Sequence, residues 1–151
     1  MQPSRSDAPK KPWPADSQCC AQTGERAQPS ALIVEDQALI GMTLEAYLEE
    51  MGCAVQEIFA SSAKALAWLS GNSPCFAVVD FMLNDGPCLE LIRELRRRQV
   101  PLIIYSGRRK DQDAPEELRD VPWVEKPASR EMLVNALASV VPELAGLAAS
   151  R

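Results

Sequence analysis

The run ALIVED, Ala31 to Asp36, decides the fold. It opens with four apolar residues and no polar alternation, the pattern of a strand buried on both faces in the middle of a parallel sheet. It then stops on two acids. Two later runs repeat the device: CFAVVD, Cys75 to Asp80, closes on a lone acid, and VPWVEK, Val121 to Lys126, closes on a lysine followed by Pro127. In a parallel α/β sheet the carboxyl ends of the strands share one edge, so Glu35, Asp36, Asp80 and Lys126 are expected to converge on one crevice. Three carboxylates held that close repel one another and call for a divalent cation or a protonated member. The pattern therefore predicts a Mg²⁺ site that handles phosphate.

Between these runs lie amphipathic stretches. Leu39, Ile40, Thr43, Leu44, Tyr47, Leu48 and Met51 recur at helical spacing, with Gly52 placed to end the helix. Cys53 to Phe59 reads as a second strand, and Ser61 or Ser62 as the cap of a short helix carrying Ala65, Leu66 and Leu69 and closed at Gly71. Pro87 suits the first turn of a helix carrying Leu89, Ile92 and Leu95. Val100 to Tyr105 is the fourth strand, stopped by Ser106-Gly107. A helix is expected over Arg108 to Asp120, although only Leu118 and Ala114 there suit a core. Pro122 to Glu125 is the fifth strand. Met132, Leu133, Ala136, Leu137 and Val140 belong to a final helix that begins near Ser129 and is broken or kinked at Pro142. Five strands interleaved with five helical segments predict an α/β, doubly wound (βα)₅ chain with a parallel sheet and right-handed crossovers.

Length and composition bound the rest. A chain of 151 residues with 46% hydrophobic content suits one domain with a single core. The net charge of −5 argues against a nucleic-acid partner, whose phosphates need clustered Lys and Arg. Arg93, Arg96, Arg97 and Arg98 are expected in the last turns of a helix, where cations favour the macrodipole and solvent. There is no histidine, which excludes imidazole-based catalysis, His-ligated zinc and Ser-His-Asp triads. Cys19, Cys20, Cys53, Cys75 and Cys88 lack metal-ligand spacing and fit free thiols in a reducing cytosol, with the vicinal pair Cys19-Cys20 open to redox chemistry or lipidation. No stretch approaches the roughly 20 apolar residues of a membrane span, and the amino terminus lacks a signal-peptide core, so a cytoplasmic protein is expected. Residues 1–29 hold five prolines among polar residues, with little apolar beyond Trp13, and are expected to be a disordered tail. Trp13, between Pro12 and Pro14, is either a short docking motif or part of a solvated leader. The folded domain is placed at residues 30–143, and 144–151 as a helix end or tail.

From about Ser30 to Val141 these residues resemble the receiver domain of two-component response regulators. The ordered set of acid pair, Asp, hydroxyl and Lys-Pro, each at the end of its own strand, carries the resemblance, with the separation from Asp36 to Asp80. It implies a flavodoxin-like strand order 2-1-3-4-5. By the same resemblance Asp80 looks like the phosphoacceptor, whose carboxylate attacks phosphorus. Glu35 and Asp36 look like the acid pair that binds Mg²⁺, with Asp80 and the main-chain carbonyl of Met82 completing the protein ligands. The other reading of the acid pair is an N-cap for the helix that follows. Lys126 looks like the lysine that contacts a phosphoryl oxygen and rests in a salt bridge to Asp80, and Pro127 matches the position of a cis peptide. Ser106 resembles the hydroxyl that turns toward the phosphoryl oxygens, and Trp123 falls at the switch-aromatic position, with simple packing as its other reading. The segment DFMLNDGPCLEL, with Asn84 where proline is common, resembles a stand-alone alphaproteobacterial subclass, and YSGRR shares part of that subclass's F-A-T-G-type motif.

The resemblance implies a receiver without an output domain. It would take phosphate from a sensor histidine kinase or a histidine phosphotransfer protein and signal to a downstream protein by contact, or serve as a phosphate shuttle or sink. The last helix, the fifth strand and Arg108 to Asp120 are the expected docking face. The alternative is a receiver-like module that binds partners without phosphorylation. A dehalogenase-type phosphohydrolase would need an acid two residues after Asp80, where Met82 stands.

Overall fold

The computed structural model describes residues 28–145. The expected disorder of the leader, and the reading of Cys19-Cys20 and Trp13, lie outside these residues up to Ala27. In chain order the elements are β1 (Ser30–Val34), α1 (Ala38–Glu50), β2 (Ala54–Phe59), α2 (Ser62–Leu69), β3 (Phe76–Val79), β4 (Met82–Leu83), β5 (Gly86–Pro87), α3 (Leu89–Arg97), β6 (Leu102–Ser106), α4 (Lys110–Asp113), β7 (Trp123–Glu125) and α5 (Arg130–Val140). Five strands make a parallel sheet in the order β2-β1-β3-β6-β7, the expected 2-1-3-4-5 order with β6 and β7 as its fourth and fifth strands.

Every residue of β1, β3 and β6 is buried, as their unbroken apolar text requires of strands covered on both faces. Because successive side chains alternate faces, the sheet splits the core in two. Leu32, Val34, Ala77, Val79 and Ile104 pack with α2 and α3 residues on one side. Ala31, Ile33, Phe76, Val78 and Ile103 pack with α1 and α5 on the other.

Several elements differ from expectation for local reasons. The buried stripe of α1 runs through Gly41, Leu44 and Leu48, leaving Leu39 80% exposed. Gly41 allows the close approach: a Cβ there would sit 3.3 Å from Ile58 Cγ2. Met132 likewise faces outward on α5. Pro87 is not in the first turn of α3. It belongs to a two-stranded hairpin, paired with Met82, whose turn uses Gly86 at φ +109.

Arg108 to Asp120 does not form one helix. It yields the four-residue α4 and a 3-10 turn, Glu116–Leu118, pinned inward by the fully buried Leu118. The arginines of α3 face solvent as expected, and two of them also reach this segment. Arg93 makes a bidentate bond to Glu117, with N···O distances of 2.6 and 3.0 Å. Arg96 donates to the Glu117 carbonyl and to Asp120, both at 2.7 Å. Polar contacts thus supplement the single apolar anchor of the segment, Leu118.

The domain edges also shift. Pro29 is buried and its carbonyl accepts from Ala54 N at 2.8 Å, so the fold begins a residue before the expected boundary. Val141 caps α5, and Leu144, in a short helical turn after it, is fully buried against the α1–α5 core, so at residue 144 the helix-end reading holds rather than the tail.

Candidate functional site

Main-chain pairing carries each charged residue to the sheet's carboxyl edge. Glu35 N donates to Phe59 O at 2.8 Å, Asp80 N to Val34 O at 2.9 Å, and Lys126 N to Ser106 O at 2.9 Å. Each bond continues a strand ladder by one residue, so all three side chains leave the sheet at its carboxyl edge, Glu35 beside Asp80 and Lys126 two residues beyond them in the register. Glu35 and Asp80 are buried, at 3% and 6% exposure, and Asp36 is half-buried.

Lys126 Nζ joins them. It lies 2.9 and 3.0 Å from the two carboxylate oxygens of Glu35 and 2.9 Å from Asp80 Oδ2. The other Asp80 oxygen accepts from Met82 N at 3.3 Å. Oxygen atoms of Glu35, Asp36 and Asp80 lie within 4.8 Å of one another. The repulsion expected of three crowded acids is met here by an ammonium shared between two of them.

The electrostatics follow from burial and this sharing. Burial pushes the Glu35 carboxyl up to about 7; Lys126 pulls it down and Asp80 pushes it back. Burial works against the charge of Lys126, but the hydrogen bonds to Glu35 and Asp80 outweigh it and hold its pKa above the ordinary lysine value. A crowded set of carboxylate oxygens with a poorly solvated member suits a hard divalent cation, and these donors fit Mg²⁺.

The remaining sequence candidates surround this centre. Ser106 is 1% exposed and its hydroxyl accepts from Arg108 N at 3.1 Å. The Lys126–Pro127 peptide is cis. Trp123 packs on Phe81, the residue after Asp80, with ring centroids 5.2 Å apart at 47°, and its Nε1 donates to Arg108 O at 2.9 Å. Trp123 therefore links the residue after Asp80 to the loop after β6. The N-cap of α1 is Gln37, without a side-chain cap bond, so Asp36 does not cap that helix.

Two residues had no signal in the sequence. Asp85, in the β4–β5 turn, accepts from Ser62 Oγ at 3.0 Å and from the main-chain N–H groups of Ser62 and Ala63, tying the hairpin to the start of α2. Tyr105 places its ring 5.5 Å from Lys126 Nζ. Both act across contacts that chain spacing does not reveal.

Comparison with known proteins agrees with this geometry. A family model described as the response regulator receiver domain matches residues 31–138. Among solved structures, SdrG from Sphingomonas melonis Fr1 is 29% identical, covering 76% of this chain and 97% of that one, with a TM-score of 0.67. A CheY-like response regulator receiver domain from Methylobacillus flagellatus is 27% identical, covering 75% and 98%, with a TM-score of 0.65. The receiver domain of the PhyR response regulator from Erythrobacter litoralis, at 22% identity, covers 76% and 90% with a TM-score of 0.66, a likeness of fold alone. No curated protein matches the chain.

Proposed function

The chain belongs to the response regulator receiver domain family, and from that premise we propose that it accepts a phosphoryl group on Asp80 from a partner's phosphohistidine. One observation carries this reading: Lys126 Nζ bonds Glu35 and Asp80 at once, with Asp36 beside them, at the carboxyl edge of a parallel sheet. An Asp80 carboxylate oxygen attacks phosphorus, the P–N bond to the donor imidazole breaks, and the imidazole leaves with a proton from solvent. Lys126 stands where it can follow a new phosphoryl oxygen, and the Ser106 hydroxyl is the candidate to receive another.

Glu35, Asp36, Asp80 and the Met82 carbonyl would hold Mg²⁺. Bound there, the cation would neutralise charge on the acids and on the incoming phosphoryl group. The chain's own part is to hold the acids apart from bulk water and to balance them with Lys126. Members of this family signal rather than turn over a substrate, so the output here is contact with a downstream protein or passage of the phosphate onward. Residues 30–143, with Pro29 and Leu144 packed onto their ends, form the receiver unit in this reading, a cytoplasmic setting supplies the kinase or phosphotransfer partner, and the likeness to SdrG favours the alphaproteobacterial subclass. No helix among the described residues is long and apolar enough to cross a membrane.

Incubation with Mg²⁺ and acetyl phosphate, or with beryllofluoride, tests the assignment. Trp fluorescence and amide shifts near Trp123 and Asp80 are expected to change in the wild type and stay still in Asp80→Ala. An equal response in both proteins means that Asp80 is not the acceptor.

A further inference from the structure

Tyr105 precedes Ser106 on β6 and belongs to the core on the α1–α5 side. In the β6–β7 register it stands opposite Val124, two residues before Lys126. Its ring centroid is 5.5 Å from Lys126 Nζ, inside the roughly 6 Å over which a ring face attracts an ammonium. Its hydroxyl accepts a hydrogen bond from Ala128 N at 3.3 Å, just past the Lys126–Pro127 peptide. One side chain therefore touches the lysine segment at two points, its charged tip and its main chain.

Lys126 needs such support. An ammonium on a four-carbon stem has many rotamers, and both of its bonded partners are acids. A buried ring beside it narrows the choice without adding charge, and Tyr105 is only 8% exposed. Tyr105 also lines a small cleft of about 90 Å³ with Tyr47, Ala128 and Leu133.

We infer that Tyr105 is a positioning residue for Lys126, its ring keeping Nζ between Glu35 and Asp80 while its hydroxyl ties the main chain just past the lysine. The effect on phosphorylation rests on the function proposed above; the placement of the lysine does not.

Tyr105→Phe keeps the ring and removes the hydroxyl, whereas Tyr105→Leu removes both. The Lys126 Cε methylene protons, read by NMR, are expected to be shifted upfield by the ring in wild type and Tyr105→Phe, and to return to ordinary values in Tyr105→Leu. With Mg²⁺ and acetyl phosphate, the Leu variant is expected to phosphorylate about fivefold to tenfold more slowly, and the Phe variant to stay within about threefold of wild type. Where the Leu variant does not fold, Tyr105→Met takes its place. Wild-type methylene protons at ordinary shifts overturn the inference, as does a ringless variant that phosphorylates at the wild-type rate. If the wild type accepts no phosphate at all, the proposed function fails, and the methylene shifts still decide the positioning.

Discussion

Lys126 illustrates how one residue can settle a charge problem that three others create. Glu35 and Asp80 are buried by the strand ladder, and their cost is met because one ammonium, itself 13% exposed, reaches both. The same acids act on Cys88, which is fully buried at the start of α3. Burial first, and then the negative charges of Asp80, Asp85, Asp36 and Glu35, push its thiol from 9.0 to about 12. Since the folded value lies above the unfolded one, the contribution to stability is complete below pH 9. It is lost as pH rises from 9 toward 12, where only the unfolded thiol ionises. For this one group the loss is at most about 1.4 kcal/mol per pH unit. Denaturation curves between pH 9 and 10.5 are expected to fall less steeply for Cys88→Ala than for wild type, above a uniform offset for lost packing. Parallel curves would show that Cys88 ionises equally well in the fold.

At the scale of elements, the crossover between β6 and β7 is the weak member. It offers Leu118 and, at its end, Val121 to the core and relies otherwise on Arg93, Arg96 and the bond from Lys110 Nζ to Val121 O at 2.9 Å. These ion pairs are 38–58% exposed, so each is worth at most about 1 kcal/mol and is screened by salt. Arg93→Ala combined with Arg96→Ala is expected to lower global stability by less than about 2 kcal/mol. Hydrogen exchange should nonetheless speed up at the Arg119 and Val121 amides, which close the 3-10 turn. Unchanged exchange there would mean that Leu118 alone holds the segment. Sequence periodicity could not find this arrangement, because a segment with one apolar anchor carries no periodic signal.

For the whole molecule, the domain boundary is a matter of what the α1–α5 core accepts. A tail starting at residue 144 would tolerate any substitution there within about 0.5 kcal/mol. Leu144 is fully buried, so Leu144→Ala is expected to cost about 2–4 kcal/mol in urea unfolding. A cost below 0.5 kcal/mol would leave the boundary at residue 143.

The five strands of the parallel sheet and the meeting of Glu35, Asp36, Asp80 and Lys126 were legible in the sequence, their order followed from the family resemblance, and the β4–β5 hairpin was not legible. Unbroken apolar runs specify doubly covered strands, and a strand's last residue must stand at the sheet's edge wherever the strand lies. Contacts between separate elements were not legible: Lys126 shared by two acids, Arg93 and Arg96 on the crossover, Asp85 on α2, and Tyr105 beneath the lysine. Each depends on distances across the packed molecule, and those exist only once the helices have settled on the sheet.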